Sequence, residues 1–317
     1  MVQNFADRLC AAVKLRRSHA VVGIDPVLPR IPEFIKRDAA AQYGKTARGA
    51  AAALLAFSRL VIDAVAGQVA LVKPQSAFYE MYGHWGVAAF WETIRYARSK
   101  GLLTIADAKR GDIGSTAEGY ASAFFGHPNP LETWEEPDQW ADSLTVNPYL
   151  GSDGLVPFVQ RARARGTGVF VLVKTSNPSS GELQDQPLFS GESLSQQVAK
   201  LVHSLGEGLV GQSGYSAVGA VVGATYPEDL KQFRSEMPQA IFLVPGYGAQ
   251  GGTAADVVGA FNLDGFGAVV NASRSVIYAF SGTDPSPGEA AAAIAAAAEA
   301  MNRDINSALQ AAGKLAW

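Results

Sequence analysis

Residues 104–116 read TIADAKRGDIGST, where an apolar run ends at Ala106 and Asp107, Lys109, Arg110 and Asp112 follow at once. A carboxylate beside a lysine keeps the ammonium charged and fixes its direction. A second carboxylate nearby repels any further anion entering the same space. Alternation along a strand puts Asp107 and Lys109 on one side of the pleat, with Asp112 just beyond on the loop leading into the next helix. Such an array suits chemistry that needs a cation and a proton at a developing carbanion. Two plainer readings compete. One is a solvated turn whose ion pairs contribute at most ~1 kcal/mol. The other is the tripeptide Arg110-Gly111-Asp112 as an adhesion signal, for which three matching residues are weak support.

The same kind of residue closes two other apolar runs: Asp25 ends GID and Lys73 ends VALVK. A charge at the end of a buried strand costs desolvation energy unless it is paired or used. Asp25, Lys73, Asp107 and Lys109 together are therefore candidates for one site.

GYGAQGG at 246–252 offers a different chemistry. Gly246, Gly248 and Gly251 fit G-x-G-x-x-G, the dinucleotide-binding pattern, and Asp264 farther on could serve as its ribose-binding acid. That fingerprint belongs at the first strand–helix turn of its unit, whereas only one clear strand follows here. A phosphate site formed by backbone N–H groups fits better, with Arg274 of NASRS free to grip a dianion. His19, His84, His127 and His203 stand far apart, and none has metal-ligand spacing. There is neither a G-x-S-x-G nucleophile elbow nor a Walker loop. The chemistry is expected to run on lysine and aspartate, with no metal and no organic cofactor.

The elements that must position these residues are eight short apolar runs: 20–25, 69–74, 102–109, 143–149, 168–175, 216–225, 240–246 and 266–273. Continuous rather than alternating hydrophobicity predicts strands buried on both faces, hence a parallel sheet. Helical patterns lie between them, at 47–67 with Gly67 placed to stop the helix, and at 86–101, 154–166, 193–209 and 227–237. An amphipathic helix is expected at 3–17, and an alanine-rich helical region at 287–313 closes the chain. Strands alternating with helices predict a single α/β domain over 1–317, a TIM (β/α)8 barrel with its core at about 20–280. A doubly wound open sheet is the competing architecture. Residues 26–47 and 176–191 read as long loops after strands one and five. Residues 126–142, rich in proline and acidic groups, read as an insertion.

Composition limits the function classes. The 317 residues are 48% hydrophobic and 17% charged, with a net charge of -3, so there is no basic footprint for nucleic acid or a membrane surface. No apolar run approaches the roughly 20 residues of a membrane span. Cys10, the single cysteine, fits a reducing compartment. The N-terminal segment, with Asp7 and Arg8 early and its lysine and arginines late, is the reverse of a signal peptide. A cytoplasmic location is expected.

DAKRGDIGST resembles the D-x-K-x-x-D-I-x-x-T signature of the orotidine 5′-phosphate decarboxylase family. PGYGAQGG and the arginine of NASRS resemble its phosphate-gripping elements, and VKTSNPSSGELQD with the overall length is similar to its longer bacterial subgroup. The resemblance implies decarboxylation of orotidine 5′-monophosphate to UMP. It matches Lys73, Asp107, Lys109 and Asp112 to the family's alternating catalytic array, with Lys109 stabilising and protonating the C6 carbanion. It further implies Asp25 at the ribose, Ser176 at the pyrimidine, Gln250 between pyrimidine and phosphate, and Arg274 at the phosphate. Asp112 and Thr116 are implied to reach the neighbouring site of a homodimer. A magnesium-dependent sugar-phosphate keto acid decarboxylase of the same barrel superfamily shares the charged cluster and is the alternative.

Overall fold

Each apolar run forms a strand in the computed structural model, which describes residues 2–126, 140–248 and 250–317. The strands are β1 (Ala20–Ile24), β2 (Leu71–Pro74), β3 (Leu103–Arg110), β4 (Ser143–Val146), β5 (Gly168–Lys174), β6 (Ser216–Val222), β7 (Ala240–Val244) and β8 (Ala268–Ala272). They pair in parallel and in sequence order, and β1 pairs with β8 (Ala20 opposite Val270), so the sheet is a closed barrel rather than an open one. All residues of β1, β2, β4, β6, β7 and β8 are buried. Side chains pointing inward fill the barrel, while those pointing outward meet helices. That is why the runs are apolar throughout.

The helix Ala47–Val65 begins at Thr46, whose side chain accepts from the Gly49 amide, and it buries Leu54, Phe57, Val61 and Ile62 on one face. It ends at Ala66 in right-handed geometry, and Gly67 does not adopt a positive φ. The stop is therefore a plain turn, not the glycine cap expected from the sequence. The helix Pro287–Ala311 starts with a reciprocal Ser286–Glu289 capping box and buries Ile294, Ala298, Met301, Ile305 and Leu309. Its inner face packs on β1 and on the helix Ala47–Val65. After it, Trp317 stacks on His19 with ring centroids 5.0 Å apart, beneath the N-terminal end of β1.

Two expected loops carry structure. Residues 26–47 contain a 3-10 turn, Leu28–Arg30, and an eleven-residue helix, Glu33–Tyr43, which buries Ile35 and Ala39 one turn apart. Glu33 in its first turn and its alanines favour that helix, though only two positions anchor it. Residues 176–191 include a second 3-10 turn, Pro178–Glu182. Most of the expected 126–142 insertion, residues 127–139 with His127, lies outside the described residues. Its end belongs to the barrel: Asp142 is buried, pairs with Arg8 at 2.6 Å and accepts from the Thr104 amide at 3.0 Å. Arg8 sits on the N-terminal helix Phe5–Arg16, whose Phe5 ring occupies the space that a side chain at Gly168 would need. Among the described residues no helix is long and apolar enough to cross a membrane.

Candidate active site

The C-terminal ends of β2 and β3 bring charge into contact. The Lys73 ammonium lies 2.6 Å from Asp107 Oδ2, and the Lys109 ammonium 2.6 Å from Asp107 Oδ1. Gln75 Nε2 donates to Oδ2 at 3.0 Å, and Thr145 Oγ1 to Oδ1 at 2.9 Å. Four donors thus fill the four lone-pair sites of one carboxylate. Burial alone would raise the Asp107 pKa, but Lys73 and Lys109 outweigh it and hold the group well below the usual carboxylate range. Burial likewise acts to lower Lys73, and Asp107 with Asp25 overcomes it, so this ammonium sits above its ordinary value. Both members of the Lys73–Asp107 pair are buried, whereas the Lys109 side chain remains 44% exposed. Asp107 is a fixed anion, Lys73 a locked cation, and Lys109 the cation presented to the cavity.

Simple alternation is not what brings Asp107 and Lys109 together. The β3–β4 register shifts between Ala106 and Arg110, and Lys109 has φ 47°, in the left-handed region. A non-glycine residue there costs free energy and needs its surroundings to hold it. Thr145 does so: its hydroxyl oxygen accepts from the Lys109 amide at 3.0 Å while its proton goes to Asp107. A bulge next to a site re-aims one side chain, which is what this one does for Lys109.

The array forms one wall of a cavity of about 750 Å³ at the barrel mouth, also lined by Asp25, Ser176, Gly246, Gln250 and Arg274. Arg274 opens the short helix Arg274–Ile277, is exposed, and has no hydrogen-bond or ion-pair partner among the described residues. Gly246 adopts φ 100°, and a Cβ there would lie 3.3 Å from Ser176 and 3.4 Å from Gln250 Oε1. A glycine thus lets both side chains close over the backbone. Asp25 Oδ1 and Asn271 Oδ1 are buried on the wall without hydrogen-bond partners among the described residues. Acceptors left open on a cavity wall can take donors from water or from a bound molecule.

Four sequence candidates lie elsewhere in the chain. Gly248 and Gly251 line an adjoining depression between the glycine loop and the helix Pro287–Ala311, bridged by a 2.6 Å hydrogen bond from Tyr247 to Asp304. Their amides donate to Gly252 and Gly248 carbonyls at 2.8 Å. Asp112, whose Oδ1 accepts from the Ile113 amide at 2.8 Å, and Thr116, on the helix Gly114–Phe125, do not line the cavity. Sequence reasoning missed Thr145, Gln75 and Asn271. Their uncharged types carry no signal, although each falls at or just past a strand end, where side chains converge on the mouth. Among the described residues, no group of three or more His, Cys, Asp or Glu side chains could hold a metal.

Comparison with known proteins follows the same outline. Residues 54–294 match the family model described as orotidine 5′-phosphate decarboxylase / HUMPS family. The orotidine 5′-phosphate decarboxylase of Rhodopirellula baltica is 47% identical, over 88% of this chain and 89% of the relative. That of Caldicellulosiruptor bescii is 41% identical, over 87% and 90%. The solved OMP decarboxylase of Leishmania donovani superposes with a TM-score of 0.71 at 32% identity, covering 96% of this chain and 98% of that one.

Proposed function

The chain belongs to the orotidine 5′-phosphate decarboxylase family and is a carboxy-lyase that converts orotidine 5′-monophosphate to UMP and CO2, and from that premise we propose that Lys109 is its proton donor. The C6–carboxylate bond breaks with its electron pair left on C6, for which the ring offers no conventional sink. Enzymes lower barriers by roughly 8–23 kcal/mol, and this reaction calls for the upper part of that range. The Lys109 ammonium stabilises the developing carbanion and then gives C6 a proton, leaving a neutral amine that regains its proton from water. Asp107 stays anionic throughout, because its lone pairs are filled and two lysines flank it. It therefore orients Lys109 rather than trading protons. Lys73 fixes Asp107 from the buried side. The observation that carries this reading is the pairing of one locked and one cavity-facing ammonium on a single saturated carboxylate.

The rest of the cavity divides by chemistry. Asp25 and Asn271 offer unpartnered acceptors to ribose hydroxyls, Ser176 and Gln250 face the base, and unpaired Arg274 takes the phosphate, with Gly246 shaping the loop beside it. Gly248 and Gly251 serve by shaping that loop through their positive φ angles, 74° and 94°. Binding energy from the phosphate, remote from C6, helps organise the reacting end. The scheme calls for no metal or organic cofactor, and the single cysteine is in keeping with a cytoplasmic enzyme.

A homodimer with composite sites accounts for Asp112 and Thr116. Ile113, Tyr120, Tyr149 and Leu150 are exposed apolar residues on the segments that follow β3 and β4. The Asp112 carbonyl and Leu150 Cβ both crowd Gly154, within 3.1 and 3.2 Å of where its Cβ would stand. Such a patch, edged by polar residues, suits a second copy of the chain.

The direct test is the ultraviolet absorbance change of orotidine 5′-monophosphate with purified protein in EDTA. Conversion to UMP is expected, and Lys109→Ala should slow it by about a thousandfold or more with the fold retained. Near-parental turnover in that variant would remove Lys109 from the proposed role. A strict magnesium requirement would favour the sugar-phosphate alternative.

A further inference from the structure

Lys174 ends β5, yet its side chain is only 1% exposed and is not part of the cavity wall. A buried ammonium is costly unless something pairs with it. Its partner comes from the following loop: the Asp185 carboxylate, half exposed, contacts Nζ. The ring of Tyr226 lies on another side, 4.6 Å from Nζ, and the Tyr226 hydroxyl bonds Ser180 of the same loop at 3.2 Å. Gly181 makes room for the carboxylate, since a Cβ there would lie 2.9 Å from Asp185 Oδ2. Asp229, on the helix Pro227–Glu236, feels the charges of both Lys174 and Asp185, but the direct ion pair to Lys174 comes from Asp185 and is made while the loop lies down on the barrel.

Gln184, next to Asp185, ties the loop's second end to its first. Its Oε1 accepts from the Thr175 amide at 2.9 Å, and its Nε2 donates to Thr175 Oγ1 at 2.8 Å. Thr175 Oγ1 in turn donates to Asn177 Oδ1 at 2.6 Å. Thr175, Ser176, Asn177 and Gln184 all line the cavity. Two consecutive residues therefore link the buried charge beneath the loop to the ligand-facing groups above it.

We propose that Lys174 is a positioning residue for the decarboxylation: by pairing with Asp185 it holds residues 175–191 in the arrangement that binds substrate. This rests on the function proposed above. When only a fraction of molecules is binding-competent, apparent affinity falls by that fraction, while saturating substrate restores the competent state. Lys174 accordingly acts on KM, not on kcat.

The test compares Lys174→Met, Asp185→Asn and the double variant with the parent. Removing one partner of a buried pair is harmful when it leaves a buried charge behind, but the charge left in Lys174→Met is the half-exposed Asp185, which can be hydrated, and the double variant leaves none. The expected result is that KM and the UMP inhibition constant rise together by about tenfold with kcat within about twofold. The double variant should be no worse than either single one, because the pair acts as a unit. Limited proteolysis within 176–191 should be faster in the variants and slowed by UMP. A merely structural role would instead reduce kcat through lost active protein, with KM and the inhibition constant unmoved, and would overturn the proposal. So would unchanged constants. If Asp185→Asn, which leaves the buried ammonium without its ion-pair partner, does not fold, Lys174→Met and the double variant, which leave no buried charge behind, carry the same readouts. A parent that fails to convert orotidine 5′-monophosphate would overturn the functional reading, whereas the proteolysis comparison tests Lys174 without any turnover.

Discussion

At the scale of single residues, the site is built on differences between groups that look alike in the sequence. Lys73 and Lys109 contact the same carboxylate, but one is buried and the other faces the cavity. Burial and hydrogen-bond saturation, not residue type, divide the roles. Arg274 shows the converse: a cation without a partner among the described residues, placed at the mouth, is available to a dianion. Removing it in Arg274→Ala should raise KM about 10- to 100-fold, the worth of one charge-assisted hydrogen-bond pair, with a smaller effect on kcat. Added guanidinium should restore part of the loss, and an unchanged KM in steady-state kinetics would take Arg274 out of the phosphate site.

At the scale of elements, the strands were the legible part of the fold. Runs such as 216–225 and 240–246 are apolar throughout because both faces of a barrel strand are covered, so their pattern survives in the bare sequence. The helix Glu33–Tyr43 was not legible, since Ile35 and Ala39 alone mark its buried side. Asp25, Lys73, Asp107 and Lys109 could be found because charge at the end of an apolar strand stands out. What the sequence concealed is how β3 delivers Lys109. A bulge with a left-handed lysine depends on Thr145 in the next strand, and no local pattern announces a contact between strands. Asp112 stood out in the charged run, but its expected reach into a neighbouring site, and Thr116 altogether, came only through resemblance, as neither lines the cavity of its own chain.

At the scale of the whole molecule, two predictions follow from how distant parts meet. If Asp112 completes the neighbouring site, mixing Lys109→Ala with Asp112→Ala should recover activity that neither variant has alone. Random exchange leaves about a quarter of the sites intact, and no recovery after verified exchange would argue against shared sites. The second concerns His19, buried against Trp317 and Phe261, where the Ala268 backbone and Asp264 favour its protonated form too weakly to offset burial. Burial pushes its imidazole from 6.5 down to about 4. Between these values the unfolded chain binds the proton and the folded one does not, so stability falls as pH drops through that window, by about 3 kcal/mol in full. Urea midpoints at pH 7 and pH 4.5 should therefore differ less in His19→Phe than in the parent; equal differences would assign the acid sensitivity elsewhere. The pairing of β1 with β8 has a consequence for synthesis. Asp25 directly follows the first strand, and Arg274 lies just past the last. A nascent chain that has emerged from the ribosome only through β7 holds Lys73 and Lys109 yet lacks Arg274, and its sheet presents two unpaired edges that invite association with other chains. Competence thus arrives in a single late step, when the final strand closes the ring.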